Sequence, residues 1–347
     1  MSKEKQQTSI SELGEFGLID RLTKDIQLKN KSTIKGVGDD AAILEYGEKQ
    51  IVVSSDLLTE GIHFNLMYVP LKHLGYKAVI VNLSDVCAMN AIPKQIVVNI
   101  AVSGKYSVEA IEELYSGIHM ACEKYGVDLV GGDTTSSLTG LTISITVLGE
   151  IEKGNAVFRS GAKRNDLLCI TGDLGGAYMG LQLLERENEV YKVDPNMQPQ
   201  LAGYDYILQR QLRPEARVDI VSAFQKMGIK PTSMIDISDG LSSEIHHLCK
   251  KSGLGCSLYE EKIPFDFQTK KMAEEMNINP LVAALNGGED YELLFTVSLA
   301  DYDKIKNDPD FTIIGHMTEA AEGVNLITTG GSAIPLEAQG WVHGKGE

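Results

Sequence analysis

The chain lacks the features that would tie it to a membrane, to nucleic acid or to an oxidising compartment. Its 347 residues contain no apolar run near the length of about 18 residues that a spanning helix needs, and the N-terminal segment has no signal-peptide core. The formal charge of −16 disfavours nucleic acid as a partner. The five cysteines form no CxxC pair, which is typical of reduced thiols. We therefore expect a cytoplasmic protein with neither a membrane nor a nucleic-acid partner.

Familiar nucleotide-binding signatures are missing as well. The sequence has no GxxxxGK[ST] loop and no kinase HRD and DFG pair. The glycine-rich stretch TGDLGGAYMG, residues 171–180, does not match GxGxxG. If the chain handles a nucleotide, it must use another arrangement of groups.

Apolar periodicity and turn residues predict alternating strands and helices in both halves, as in an α/β protein. The length suggests two domains, and a glycine- and charge-rich stretch places their boundary between residues 1–152 and 153–347. Predicted helices cover residues 11–24, 70–93, 107–126, 201–212 and 215–228. Ser107 is the expected N-cap of the helix at 107–126, and Gly126 is expected to end it. Residues 233–253 are predicted to form a strand, a turn and a helix that ends at Gly253. Residues 187–200 are predicted to be a loop.

A β-hairpin predicted at residues 36–56 carries carboxylates at both ends. A turn at its centre would place Asp39 opposite Asp56 and Asp40 opposite Ser55. Two carboxylates about 5 Å apart repel by roughly 3 kcal/mol at an effective dielectric of about 20. Either exposed strand ends screen this repulsion, or a hard cation such as Mg²⁺ lies between the carboxylates.

Further carboxylates occupy positions that the sequence predicts to be buried. Asp85 falls on the apolar stripe of the helix at 70–93, where an unpaired charge is costly, unless Ser84 and Asp85 begin a second helix. Asp236 lies inside an apolar strand, whereas Asp239 is also a plausible cap of the helix that follows. The same pattern of acidic residues at turns and strand ends includes Asp133, Glu289 and Asp290.

Many carboxylates without matching lysines indicate several divalent cations, and such ions are commonly shared with substrate phosphates. Phosphoryl transfer from a nucleotide is one interpretation, and a two-metal phosphatase is another. Three glycine pairs, at residues 131–132, 175–176 and 287–288, either bring backbone amides close to phosphates or only form tight turns.

Seven segments in order resemble the thiamine-monophosphate kinase family, of the superfamily that includes aminoimidazole ribonucleotide synthetase. They are GVGDDAA, SSDLLTEGIHF, AVIVNLSDVCAM, GGDTT, RSGAK, DISDGLSSEI and GGEDYELLFTV. The resemblance runs from about residue 14 to the C-terminus. It implies a two-domain α/β fold whose N-terminal domain forms a β-barrel across a homodimer, beside a C-terminal mixed α/β domain. It also implies that ATP phosphorylates thiamine monophosphate to thiamine diphosphate, the last step of that biosynthesis.

The resemblance also implies roles for individual residues, with no covalent protein nucleophile. The implied ligands of several Mg²⁺ ions are Asp40, Ser55, Asp56, Asp85, Asp133, Asp236 and Asp239. The implied ATP contacts are Tyr115, Gly132, Arg159 and Ser238. The implied substrate contacts are His63, Glu289 and Trp341. This chain has a Ser-Ser pair at residues 54–55 where relatives commonly have Ser-Thr, and Trp341 lies in a tail with little motif around it.

Neighbouring members of the superfamily fit less well. A selenophosphate synthetase needs a reactive cysteine before GVGDD, and a hydrogenase-maturation member needs a C-terminal cysteine, whereas this chain ends HGKGE. A non-catalytic nucleotide-binding protein on the same fold is the remaining alternative. The full set of acidic motif positions favours an enzyme over that alternative.

Overall fold

The computed structural model describes Thr23 and residues 29–338. Apart from Thr23, the predicted helix at 11–24 lies outside the described residues, and so does Trp341. None of the helices in the described part combines the length and apolarity needed to cross a bilayer.

The first half is an open six-stranded sheet in the order β1-β2-β3-β6-β4-β5, and residues 29–152 add two helices to it. Its strands are β1 (Thr33–Lys35), β2 (Ala42–Glu45), β3 (Lys49–Thr59), β4 (Ile92–Ser103), β5 (Asp128–Ser137) and β6 (Thr142–Glu152). Its helices are α1 (Leu71–Ala88) and α2 (Val108–Tyr125). The predicted barrel is not closed within one chain, because β1 and β5 are the sheet's edges in the described residues.

The two helices of this half begin, end and pack for local reasons. The Ser107 hydroxyl accepts a hydrogen bond from the amide of Ala110, and Gly126 ends α2 with a φ of 64°, both as predicted. The helices cross so closely that a Cβ on Gly75 would lie 2.0 Å from a carbonyl oxygen of α2. Helix α1 is buried on most sides, since it also touches the strand Ser233–Asp236 of the second half.

Side chains of the six-stranded sheet alternate between two faces. One face packs on the helices, and Val52, Val98 and Ile145 are buried there. The other face, which we call the outer face, is more open: Leu57 is 56% exposed. In the inner strands of this sheet, the side chain of an outer-face residue therefore points away from the side chains of its sequence neighbours on the helix face.

The second half is a seven-stranded mixed sheet in the order β13-β12-β9-β11-β7-β10-β8, with seven helices in its described residues. Its strands are β7 (Leu167–Thr171), β8 (Ser233–Asp236), β9 (Leu254–Tyr259), β10 (Leu293–Val297), β11 (Phe311–Glu319), β12 (Val324–Ile327) and β13 (Ala333–Pro335). Its helices are α3 (Gly176–Val193), α4 (Asp205–Leu212), α5 (Val218–Met227), α6 (Leu241–Ser252), α7 (Phe267–Glu275), α8 (Pro280–Asn286) and α9 (Tyr302–Ile305).

In the second half, one helix boundary differs from the sequence prediction and another agrees with it. Helix α3 continues to Val193, so the first part of the predicted loop at 187–200 is helical. Its buried Glu187 and Asn188 show why: this polar-looking turn packs inward. Helix α6 ends before Gly253, whose φ is 67°, as predicted.

One hydrophobic core extends across both halves of the chain. The stacked rings of Phe224 and Phe311, 5.5 Å apart, belong to the same core cluster as Val98 and Ile145. Strand β6 ends at Glu152, and the next strand belongs to the second sheet. The division into domains 1–152 and 153–347 follows the sheets and stays a prediction.

Candidate functional site

The hairpin has the predicted register, but its pairing ends at Ala42, before the carboxylates. Asp39 turns toward basic and amide groups instead. Its Oδ2 lies 2.6 Å from Lys35 Nζ, and its Oδ1 accepts a hydrogen bond from the Arg159 amide at 2.8 Å. The repulsion expected between Asp39 and Asp56 is therefore not what shapes the site, since a lysine of the same segment neutralises Asp39.

Four other aspartates converge at one point between the two sheets. Asp40, Asp85 and Asp236 each contribute a carboxylate oxygen to a group whose members all lie within 4.8 Å of one another. Asp56, on the helix face of β3, lies beside Asp85, and its Oδ2 is buried without a partner among the described residues. We call Asp40, Asp56, Asp85 and Asp236 the acidic cluster.

Two buried hydroxyls orient this cluster. Ser54 Oγ donates to Asp85 Oδ2 at 2.5 Å, and Ser84 Oγ donates to Asp236 Oδ2 at 2.6 Å. Ser84 therefore lies inside α1 next to Asp85 and does not begin a second helix. Sequence reasoning missed both hydroxyls as site residues, although Ser54 shares a strand face with Asp56.

Arg159 is the cation held against the cluster. Its Nη2 and Nε lie 2.8 and 3.0 Å from the two oxygens of Asp40. This paired geometry fixes the planes of both groups. One guanidinium facing four carboxylates leaves the acidic cluster with a surplus of negative charge.

Burial and this surplus of negative charge raise the pKa values of the buried carboxyl groups. Burial, followed by the charge of Asp40, raises the pKa of Asp236 to about 8. Burial raises the pKa of Asp56 to about 6, and burial together with the other three carboxylates raises the pKa of Asp85 well above its usual range. Four carboxyl groups, three of them with raised pKa values, match the preference of Mg²⁺ or Ca²⁺ for carboxylate ligands.

Ser55 does not bring its hydroxyl to the acidic cluster, contrary to the role implied for it. Its Oγ lies 2.9 Å from Thr146 Oγ1 and donates to the Ile145 carbonyl, on the outer face of the sheet. The reason is the alternation of side chains along β3, which places Ser54 and Asp56 on the other face.

Asp133 also lies away from the cluster within one chain. Gly132 pairs with Val98, Val98 with Ile145, and Ile145 with Asp56, so Gly132 is three strands from Asp56. At the usual strand spacing this is about 14 Å, and Asp133 projects from the opposite face to Gly132. The acidic residues predicted together therefore form two groups in the chain.

A cavity beside the edge strand β5 is lined by Tyr115 and Gly132, the two residues of the first half that are predicted to contact ATP. It has a volume of about 410 Å³, and its walls include Val98, Tyr115, Gly132 and Asp133. A Cβ on Gly132 would lie 1.8 Å from the Val98 carbonyl oxygen, so only glycine fits. The cavity combines an aromatic ring with a glycine backbone at an unpaired sheet edge.

The loop after β8 holds Ser238 and Asp239 beside the acidic cluster. Glu244, buried in the first turn of α6, accepts hydrogen bonds from the amides of Ser238 and Asp239 at 3.3 and 2.9 Å. Gly288 packs on this loop, since a Cβ there would lie 2.4 Å from the Ser238 carbonyl oxygen. The glycine pair at 287–288 thus serves a close backbone crossing.

Glu289 follows that crossing and faces the first half of the chain. Its Oε2 lies 2.9 Å from Nζ of Lys77 on α1 and accepts from Gln211 Nε2 at 3.1 Å. Sequence reasoning missed Lys77, a lysine on the buried part of α1. His63, the other predicted substrate contact in the described chain, accepts a hydrogen bond from the Thr59 amide at 3.0 Å.

A second group of buried charges lies in the second half and was not predicted. Glu292 Oε1 is 2.7 Å from Arg210, and Oε2 is 2.6 Å from Arg217. Burial alone would raise the pKa of Glu292, but the two arginines hold it below its usual range. We call Arg210, Arg217, Asp290 and Glu292 the arginine network.

The carboxylate of Asp290, a member of this network, lies against the glycine turn at residues 175–176. It accepts hydrogen bonds from the amides of Gly175 and Ala177, at 2.8 and 3.4 Å. The amides at the start of α3 are therefore already bonded to an anion of the protein. This turn does not offer them to a phosphate.

Comparison with known proteins extends over both halves. Residues 38–151 match the family described as AIR synthase related protein, N-terminal domain. The thiamine-monophosphate kinase of Aquifex aeolicus (strain VF5) is 37% identical, covering 96% of this chain and 99% of the relative. That of Bacillus subtilis (strain 168) is 35% identical, covering 96% and 100%. The solved structure of AaThiL complexed with AMPPCP and TMP has a TM-score of 0.83 at 36% identity, covering 98% and 100%.

Proposed function

Since the chain belongs to the thiamine-monophosphate kinase family, we propose that it transfers the γ-phosphoryl group of ATP to thiamine monophosphate, forming thiamine diphosphate. An alignable structure of the family holds AMPPCP and TMP together, which supports these two substrates. Its setting is the cytoplasm, where ATP is abundant and the five buried thiols stay reduced.

The observation that carries this proposal is the acidic cluster. Oxygens of Asp40, Asp85 and Asp236 lie within 4.8 Å of one another, and one buried oxygen of Asp56 has no partner among the described residues. Burial and the neighbouring carboxylates raise the pKa of Asp85 well above its usual range. These residues fit Mg²⁺. Asp40, Asp56, Asp85 and Asp236 would hold the ions, with Asp239 beside them. Bound there, Mg²⁺ would neutralise the phosphate charges that otherwise repel.

The remaining residues bind and align the two substrates. The Tyr115 ring and the Gly132 backbone line the cavity that we assign to ATP, and Asp133 lies in its wall to meet a metal ion carried by the nucleotide. Arg159 and Ser238, beside the acidic cluster, contact the ATP phosphates. His63 and Glu289 contact the thiamine end. Trp341, outside the described residues, is proposed for the thiamine end on the resemblance alone.

Transfer is direct and in line, because the acceptor is the phosphate of thiamine monophosphate itself and no protein nucleophile is needed. The protein's part is to hold donor and acceptor phosphates in line and to exclude competing water. We assign most of the metal and ATP contacts to a domain of residues 1–152. A second domain, residues 153–347, completes the site.

We also propose a homodimer built on the first half. The six-stranded sheet has an open outer face with Leu57 exposed, and two of its strands are free edges in the described residues. Pairing two such sheets into one barrel would cover that face. Light scattering at micromolar concentration should give twice the chain mass, and a monomeric mass would refute the dimer.

Purified protein should form thiamine diphosphate from ATP and thiamine monophosphate in the presence of Mg²⁺, and excess EDTA should abolish this. Restoring Mg²⁺ is the control for damage by the chelator. Full turnover in EDTA would contradict the metal assignment. Phosphate release without thiamine diphosphate would favour the phosphatase, and nucleotide binding without turnover would favour a non-catalytic protein.

A further inference from the structure

Lys77 is a buried cation that none of the roles above uses. Its side chain on α1 is only 9% exposed, and its charged partner is Glu289, a carboxylate on the other half of the chain. Burying a lysine is costly unless a carboxylate pairs with it. Glu289 itself is less buried, with a side chain that is 33% exposed. The pair therefore joins a buried ammonium group to a carboxylate that is partly exposed.

The backbone around Glu289 is strained and held in place. Glu289 and Tyr291 have φ values of 58° and 51°, a left-handed conformation that side-chain-bearing residues rarely adopt. The Glu289 amide donates to the Ser238 carbonyl at 2.7 Å, and the Tyr291 amide donates to that of Ile237 at 2.9 Å. The segment is thus fixed to the loop that carries Ser238 and Asp239.

The side chain of Glu289 is held from one side only. Lys77 Nζ and Gln211 Nε2 both contact Oε2, at 2.9 and 3.1 Å. Oε1 has no donor among the residues that the structure describes. The backbone is held by its hydrogen bonds to the Ser238 and Ile237 carbonyls, and Oε2 is held by two donors. Oε1 is therefore left as an acceptor in a set position.

We infer that Lys77 is a positioning residue for the substrate, which acts by holding Glu289 so that Oε1 accepts a hydrogen bond from the aminopyrimidine end of thiamine monophosphate. This inference rests on the proposed function, because it takes thiamine monophosphate as the ligand of Glu289. A carboxylate oxygen suits an amino group, and its pairing with Lys77 keeps its rotamer from varying. Lys77 itself touches no substrate in this arrangement.

The test is a double-mutant cycle between Lys77→Met and Glu289→Gln, read by steady-state kinetics and by calorimetric binding of thiamine monophosphate. Lys77→Met should raise KM and Kd for thiamine monophosphate about tenfold, leaving kcat within about threefold and the KM for ATP within about twofold. In the Glu289→Gln background, the same change should alter KM by less than about twofold. Lys72→Met, an exposed lysine of the same helix, is the matched control and should change neither constant.

Equal penalties of Lys77→Met in both backgrounds would overturn the inference, since Lys77 would then act on the substrate directly or on the fold. An equal rise in the KM for ATP would overturn it too. Thermal melts check folding, and if Lys77→Met does not fold, Lys77→Gln enters the same cycle with the same expected outcomes. Absence of turnover in the unaltered chain would instead refute the proposed function.

Discussion

The acidic cluster and the arginine network are both groups of buried charges, but they are balanced in opposite ways. In the network, two arginines lie within 2.7 Å of Glu292 and hold its pKa below its usual range. In the cluster, four carboxylates face one guanidinium, and burial with mutual repulsion raises the pKa of Asp236 to about 8. In the network two arginines match two carboxylates, although burial still raises the pKa of Asp290 to about 6. In the cluster one arginine faces four carboxylates, so negative charge is in surplus.

This difference separates a structural role from a functional one. A buried ion pair that the protein itself completes contributes to a fixed fold, and removing one partner leaves an uncompensated charge. A buried group of like charges destabilises the fold until a ligand neutralises it, so its presence indicates that a ligand binds there. The following changes should therefore affect stability in one region and activity in the other.

Asp236→Asn should have the largest effect, and on activity alone. It removes one carboxylate from the acidic cluster, so turnover should fall by about three orders of magnitude or more, which corresponds to roughly 4 kcal/mol or more of barrier. The metal-free fold should be as stable as before or slightly more so, because one repelling charge is gone. Steady-state assays and thermal melts in EDTA measure the two effects. A large drop in the melting midpoint would show that Asp236 is structural.

Arg210→Met should have the opposite pattern. It leaves Glu292 and Asp290 buried with less compensation, which typically costs about 3–5 kcal/mol of folding free energy. Chemical unfolding of metal-free protein measures the loss. Arg164→Met is the matched control, because Arg164 pairs with Glu319 at an exposed site, where such pairs contribute less than about 1 kcal/mol. Similar losses for both variants would mean that the network is not a structural centre.

The sequence predicted the parts of the site that depend on local patterns. The hairpin register followed from its turn, and the burial of Asp85 followed from its place on the apolar stripe of α1. The resemblance implies a metal ligand at Ser55, whereas the alternation of side chains along β3 puts Ser54 on the face of Asp56, so the role of Ser55 stays a prediction. The separation of Asp133 depends on the strand order, which no local pattern contains.

The arginine network could not be predicted for a different reason. Arg210 and Glu292 are 82 positions apart, and neither lies in a pattern that marks it as buried. Lys77 and Glu289 meet in the same way, across the two halves of the chain. Pairing over such separations is set by how the sheets and helices pack, and a single sequence records the result only as scattered charges.

The pH dependence of stability should also distinguish the two regions. The pKa of Asp236 is near 4 in the unfolded chain and about 8 in the folded one, so between these values the folded, metal-free protein binds more protons. Its stability should therefore fall as the pH rises from 6 to 8, by roughly 2–3 kcal/mol for one group. Mg²⁺ should remove this loss, and Asp236→Asn should make the curve less steep, because only the contribution of Asp236 is lost. A flat profile in EDTA would contradict the charge surplus.

The smallest expected effect tests which hydroxyls belong to the acidic cluster. Ser84 is 1% exposed and donates to Asp236 Oδ2 at 2.6 Å, so it fixes the direction in which the other oxygen is presented. Losing an outer partner of a metal ligand typically weakens metal binding by about tenfold or more. Ser84→Ala should therefore raise the Mg²⁺ concentration needed for half-maximal turnover by about that factor, with little change in the metal-free melting midpoint.

Ser54→Ala should act like Ser84→Ala, because Ser54 donates to Asp85 on the same side of the sheet. Ser55→Ala is the comparison that decides the point, since its hydroxyl bonds to Thr146 and Ile145 on the outer face. If Ser54 and Ser55 lie on opposite faces of β3, Ser55→Ala should change the Mg²⁺ concentration for half-maximal turnover by less than about twofold. Ser54→Ala should raise the same concentration about tenfold. The reverse result would place the Ser55 hydroxyl at the metal, as the resemblance alone implied, and would mean that β3 presents its other face to the cluster when the ions are bound.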